Sequence, residues 1–84
     1  MRIRQIKEIE ILGLGEVIRK ARIAMADTPE PDKKTMEDIC NEVGVSKTYW
    51  YDIEREQVRG ALSIKNLRKI EAALKIDLGV KFND

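Results

Sequence analysis

The sequence predicts a small, mainly helical bundle organised around a helix-turn-helix. Apolar residues recur at helical spacing in four separate segments. Thr35, Ser46 and Ser63 stand as capping residues just ahead of three of those segments. Gly44 separates the middle two with almost no loop between them. With 84 residues, the chain holds one domain with one small core.

Residues 1–12, MRIRQIKEIEIL, carry two periods at once. Ile3, Ile6 and Ile9 are three apart, while Ile9 and Ile11 alternate with charged neighbours. The β-branched content favours a short strand over 7–11. Gly13 and Gly15 then break the run. Residues 16–26 read as helix 1, with Leu14, Val17, Ile18, Ala21 and Met25 on its apolar side and Arg19, Lys20 and Arg22 adding positive charge. Residues 27–34, DTPEPDKK, have two prolines and no apolar residue, which makes them a loop.

Thr35 can cap helix 2, with Asp38 three residues on in a near capping box. Met36, Ile39, Cys40 and Val43 then lie on one face. Gly44 supplies the left-handed conformation that ends a helix at low cost, and Val45 points back to the core. Ser46 can cap helix 3, where Tyr49, Trp50 and Ile53 are apolar and Lys47, Thr48, Tyr51, Asp52 and Arg55 fall on other faces. Residues 57–62 connect to helix 4, which runs from its cap Ser63 to about Leu74. Ile64, Leu67, Ile70, Ala73 and Leu74 make its apolar face, and Asn66, Arg68, Lys69 and Glu71 are expected to face water. Beyond a turn at Asp77, Val80 and Phe82 alternate with Gly79 and Lys81, a short strand signal over 79–82. Two apolar strand ends leave unpaired edges unless they meet each other or a second subunit. A pairing of 79–82 with 7–11 is therefore expected, the rival reading being two loosely ordered tails.

Composition narrows the functional classes. Sixteen basic and 15 acidic residues leave a net charge of +1, which is not the footprint of a strongly basic nucleic-acid binder. One cysteine excludes an internal disulfide, and the absence of histidine removes the usual ligands of a structural zinc. No apolar run approaches the ~20 residues of a membrane span. Arg2, Arg4 and Lys7 precede no apolar signal-peptide core, so a soluble intracellular protein is expected. With no histidine, one cysteine on an apolar face and no paired carboxylates in a plausible cleft, an enzyme is not expected.

Residues 14–78, about three quarters of the chain, resemble the Cro/CI-type (XRE-like) helix-turn-helix domain of bacterial and phage transcriptional regulators. The resemblance rests on LGEVIRKAR in helix 1, DICNEVGVSKTYWYDIER across helices 2 and 3, and LRKIEAALKIDL at the end. It divides the chain into an N-terminal extension (1–13), the helix-turn-helix domain (14–78) and a C-terminal tail (79–84). Cys40 stands where the family usually has Ala, and a thiol is small enough to fit. Trp50 replaces an aliphatic core residue, implying either a wider core or a ring leaning onto the N-terminal segment. Met36 replaces a phosphate-touching Gln, and the eight-residue loop 27–34 is longer than the family's usual three or four.

The resemblance implies a lambda-repressor-like bundle of four to five helices that needs no cofactor and acts in the cytoplasm. Its partners would be double-stranded DNA and a second copy of itself, without a membrane. Helix 3 (46–55) would enter the major groove as part of a homodimer on a palindrome. Ser46, Lys47, Thr48, Tyr51, Asp52 and Arg55 would reach bases or phosphates, and Arg59 and Lys65 would contact phosphates. Lys33 and Lys34 are further phosphate candidates, more readily read as loop solvation, and the helix N-termini at Thr35 and Ser63 could add backbone donors. Arg22 and Glu54 match a structural ion pair of the family. Over 35–59, three basic side chains (Lys47, Arg55, Arg59) face six acidic ones (Glu37, Asp38, Glu42, Asp52, Glu54, Glu56), a net −3. That balance makes non-specific affinity modest and leaves specificity to a few contacts and dimerisation. The acidic helix 3 and the near-neutral net charge support an alternative: a protein-interaction module on the same scaffold without specific DNA binding, since a fold does not fix a function.

Overall fold

A β-hairpin, four helices and one further short strand form a mainly helical unit in the computed structural model, which describes residues 1–81. Strands β1 (Arg2–Arg4) and β2 (Glu8–Glu10) pair antiparallel, Ile3 opposite Ile9. Helices α1 (Leu14–Ala26), α2 (Met36–Val43) and α3 (Lys47–Glu54) follow, then β3 (Leu62–Ser63) and α4 (Ile64–Leu74). Strand β3 joins β1 in parallel, giving the sheet order β2-β1-β3. Among the described residues there are four helices, not five.

The terminal strands do not pair as the sequence suggests. The strand expected over 7–11 is β2, but its partner is β1. Residues 79–81 form no strand, and Phe82 lies outside the described residues. Instead the C-terminal segment lies along α4. Arg68 donates from Nη2 to the Val80 carbonyl (2.8 Å), and the Leu78 N–H donates to Glu71 Oε2 (2.7 Å). Arg68 Nη1 also meets Glu71 Oε1 at 2.7 Å. Arg68 and Glu71 are thus not simply solvated: they hold the chain so that Val80 is buried. Residues 1–4 are likewise no mere extension, because Met1 and Ile3 belong to the core.

The helices start where their caps place them. Thr35 Oγ1 accepts the Asp38 N–H (3.2 Å) while Asp38 Oδ2 accepts the Thr35 N–H (3.0 Å), a complete capping box. Those bonds to Thr35 hold the Asp38 carboxyl below its ordinary pKa. Ser46 Oγ takes the Tyr49 N–H and Ser63 Oγ the Asn66 N–H, both at 3.1 Å. Gly44 adopts φ 84°, which turns the chain from α2 into α3 without a Cβ clash. Lys34 spans α2 and α4: its ammonium donates to Glu42 (2.9 Å) and to the Ala73 carbonyl (2.9 Å), placing positive charge at the C-terminal end of α4.

Gly15 does not break the chain before α1 but sits in its first turn, buried against the end of α3. A Cβ there would collide with the Glu54 carbonyl oxygen and lie 2.8 Å from Glu56 Cγ. Gly15→Ala is therefore expected to lower stability by about 1–3 kcal/mol, because backbone cannot give way as a flexible side chain can. A urea titration checks it, and an unchanged midpoint would show that α1 and α3 separate freely.

Ile3, Ile18, Ile39, Trp50, Ile53, Leu62, Leu67 and Ile70 are fully buried and converge in one core. Each such side chain is worth about 1.5–3 kcal/mol relative to exposure. Cys40 is buried among them, and burial pushes its thiol pKa up, so it stays a protonated packing group at neutral pH.

Candidate functional site

Helix α3 has two sides with different work. Trp50 and Ile53 are buried, Tyr49 is half-buried against the core, and Glu54 points inward. Lys47, Thr48, Tyr51 and Arg55 are exposed, with Asp52 half-exposed beside them. At 100° per residue, positions 47, 48, 51, 52 and 55 occupy an arc of about 140°. One helix face therefore gathers these five candidates. Ser46 sits at its N-terminal edge with its hydroxyl engaged as the cap.

The inward side fixes the aim of that face. Arg22 on α1 donates to Glu54 through Nε (2.5 Å to Oε2) and Nη2 (3.2 Å to Oε1), a two-pronged ion pair. Trp50 Nε1 donates to the same Oε2 at 2.5 Å. The Glu54 side chain is only 4% exposed and that of Arg22 18%, so the pair works in a poorly hydrated setting. The hydrogen bond to Glu54 raises the Arg22 pKa. Trp50 is accommodated by full burial, its one polar atom reaching one helical turn along to a carboxylate. A Trp–Glu spacing of four within a helix was the available signal for this bond.

On the outward side Arg55 Nη2 meets Asp52 Oδ1 at 3.1 Å, an exposed pair three residues apart. The acid of this face is thus partly neutralised by its own neighbour. Arg59, in the connector, and Lys65, in the first turn of α4, are exposed. Lys33 is exposed in its loop, whereas Lys34 is committed to Glu42 and Ala73. The sequence candidates therefore fall into one cluster on α3, two cations near the start of α4, one exposed loop cation, Lys33, and one, Lys34, already in structural use.

Other chemistry finds less support. Among the described residues no three His, Cys, Asp or Glu side chains gather as metal ligands, and no helix is long and apolar enough to cross a membrane. A shallow depression of about 410 Å³ beside α4 is lined by Arg68 and Glu71, which already hold the C-terminal segment. The chain matches no protein-family model, and neither a curated protein nor a solved structure matches it.

Proposed function

We propose that this chain is a binding module and not an enzyme: a sequence-specific, DNA-binding transcriptional regulator with a lambda-repressor-like helix-turn-helix, acting in the cytoplasm as a homodimer. The observation that carries the reading is α3 itself. It follows α2 across a Gly44 turn, is clamped inward through Trp50, Ile53 and Glu54, and presents five polar side chains outward. A helix held this way can enter a major groove. Lys47 can donate to guanine or phosphate, Thr48 can touch a thymine methyl or a phosphate, and the Tyr51 hydroxyl can reach a phosphate oxygen. Asp52 could accept from a cytosine amino group, and Arg55 can donate to DNA from the same face. Arg59 and Lys65 supply phosphate contacts. A single α3 covers little DNA, so two copies on a palindrome supply the affinity.

Selection from randomised duplex DNA, followed by titration at two salt concentrations, tests this. The wild-type chain is expected to enrich a palindromic motif and to bind it more weakly as salt rises. Lys47→Ala/Arg55→Ala is expected to reduce affinity for that motif by at least about tenfold. No enriched motif, with no loss in the double variant, would overturn the reading. The second reading, a protein-interaction module, is favoured by the net acidity of 35–59 and by Val17 and Ile23 standing exposed on α1. It would gain from the same null result.

A further inference from the structure

The hairpin places two arginines where nothing in the helix-turn-helix pattern would put them. Strand β1 is the middle strand, and its parallel register with β3 sets Ile3 opposite Leu62 and Arg4 opposite Ser63. Ile3 and Leu62 are fully buried. Alternation along the strand therefore turns Arg2 and Arg4 to the solvent face, where both are exposed. Ser63 is the cap of α4, and Lys65 lies in the first turn beyond it. Arg59 lies on the approach to β3 and is also exposed. Neighbouring strands are about 4.8 Å apart, well within the reach of an arginine side chain.

The acidic residues of the hairpin stand across from the arginines, on the same face of the sheet. Glu8 and Glu10 belong to β2, opposite Arg4 and Arg2, at the edge remote from β3. Arg4 reaches Glu8 only at 3.5 Å, and both side chains are well exposed, 58% and 41%. Such a pair is weak and screened, so the guanidinium is available to a stronger anion. Arg4 thus stands opposite the cap of α4, two residues before Lys65, while Arg2 shares a shallow depression with Glu10 and with Glu56 of the connector.

We infer that the hairpin is a second DNA-contacting element: Arg2 and Arg4 grip the phosphodiester backbone together with Arg59 and Lys65, as a basic wing beside the start of α4. This rests on the DNA-binding reading above. It also offsets the acidity of 35–59, because affinity from counterion release is supplied by residues far away in sequence. Backbone contacts of this kind position the protein without reading bases.

The test compares wild type, Arg2→Gln/Arg4→Gln and Arg2→Lys/Arg4→Lys on the duplex that the wild-type chain selects, across a salt series, with melting curves on each. The Gln pair is expected to weaken binding on the order of tenfold at low salt and to flatten the log–log salt slope by about two. It should still select the same motif, and the Lys pair should keep most of the slope. Both arginines are exposed, so the melting midpoint should hold; if it falls, the Lys pair decides, a retained slope supporting the wing and a lost slope overturning it. Affinity and slope equal to wild type in the Gln pair would overturn the wing while leaving α3 as the reader. A changed motif would also overturn it, by making the arginines base readers. A wild-type chain that selects no motif would remove the DNA-binding reading first and the wing with it.

Discussion

Glu54→Ala is expected to destabilise the fold by about 3–5 kcal/mol, out of a total of roughly 5–10 kcal/mol for a domain of this size. Two donors depend on this carboxylate: the Arg22 guanidinium and the Trp50 indole N–H. Truncation leaves both without a partner in a site that water barely enters. The cost is mostly that of stranding a charge and an N–H, not the worth of the ion pair itself. Glu54→Gln should cost less, since one oxygen remains to accept while the new amide N–H₂ faces donors. Arg22→Ala should approach the Glu54→Ala value, because it strands the opposite charge. Arg22→Met/Glu54→Leu should lose less than the sum of the two truncations, which a double-mutant cycle reads as coupling. Trp50 is the one tryptophan of the chain, so its fluorescence follows unfolding and reports the change around the indole directly. A loss below about 1 kcal/mol in Glu54→Ala would show that water replaces the carboxylate without strain.

That network explains why some of the molecule is legible in its sequence and some is not. The four helices are legible because each writes its own signal: Thr35, Ser46 and Ser63 before the first turn, apolar positions at three and four, Gly44 in the turn. Each is satisfied within a few residues of chain. The outward face of α3 is legible for the same reason, since 47, 48, 51, 52 and 55 follow from helical geometry once Trp50 and Ile53 are assigned to the core. The sheet is different. Strands of three, three and two residues are too short to alternate convincingly, and β1 meets β3 across about 60 residues of chain. The pairing of 79–82 with 7–11 fails because burial of Val80 is achieved against α4, through polar side chains of α4 that look solvated in one dimension. Arg68 and Glu71 sit on its charged face, yet each spends hydrogen bonds on the C-terminal segment. Arg2 and Arg4 are not legible as candidates in one dimension, because only the β1–β3 register sets Arg4 opposite Ser63, two residues before Lys65.

The sheet also decides whether the hairpin is a rigid part of the domain. Ile3→Ala is expected to cost about 2–5 kcal/mol, the range for truncating a buried aliphatic side chain in a core that cannot collapse around it. A three-residue strand has few backbone bonds to contribute, so the attachment of β1 rests on Ile3 packing beside Leu62 in the core. Ile6→Ala is the internal control: Ile6 is 96% exposed in the hairpin turn and should change stability by no more than about 0.5 kcal/mol. Denaturant titration gives both values, and hydrogen exchange shows where the loss falls. If the hairpin is one cooperative unit with the helices, protection drops in β1, β3 and α4 together. If Ile3→Ala instead stays within about 0.5 kcal/mol of wild type, the hairpin is an appendage, and arginines carried on it could not hold a fixed register against α4. The stability of a buried isoleucine and the salt slope of two exposed arginines are then tied. A wing delivers backbone contacts only if the core beneath it is intact, so Ile3→Ala should flatten the slope in the same direction as Arg2→Gln/Arg4→Gln while leaving both arginines in place.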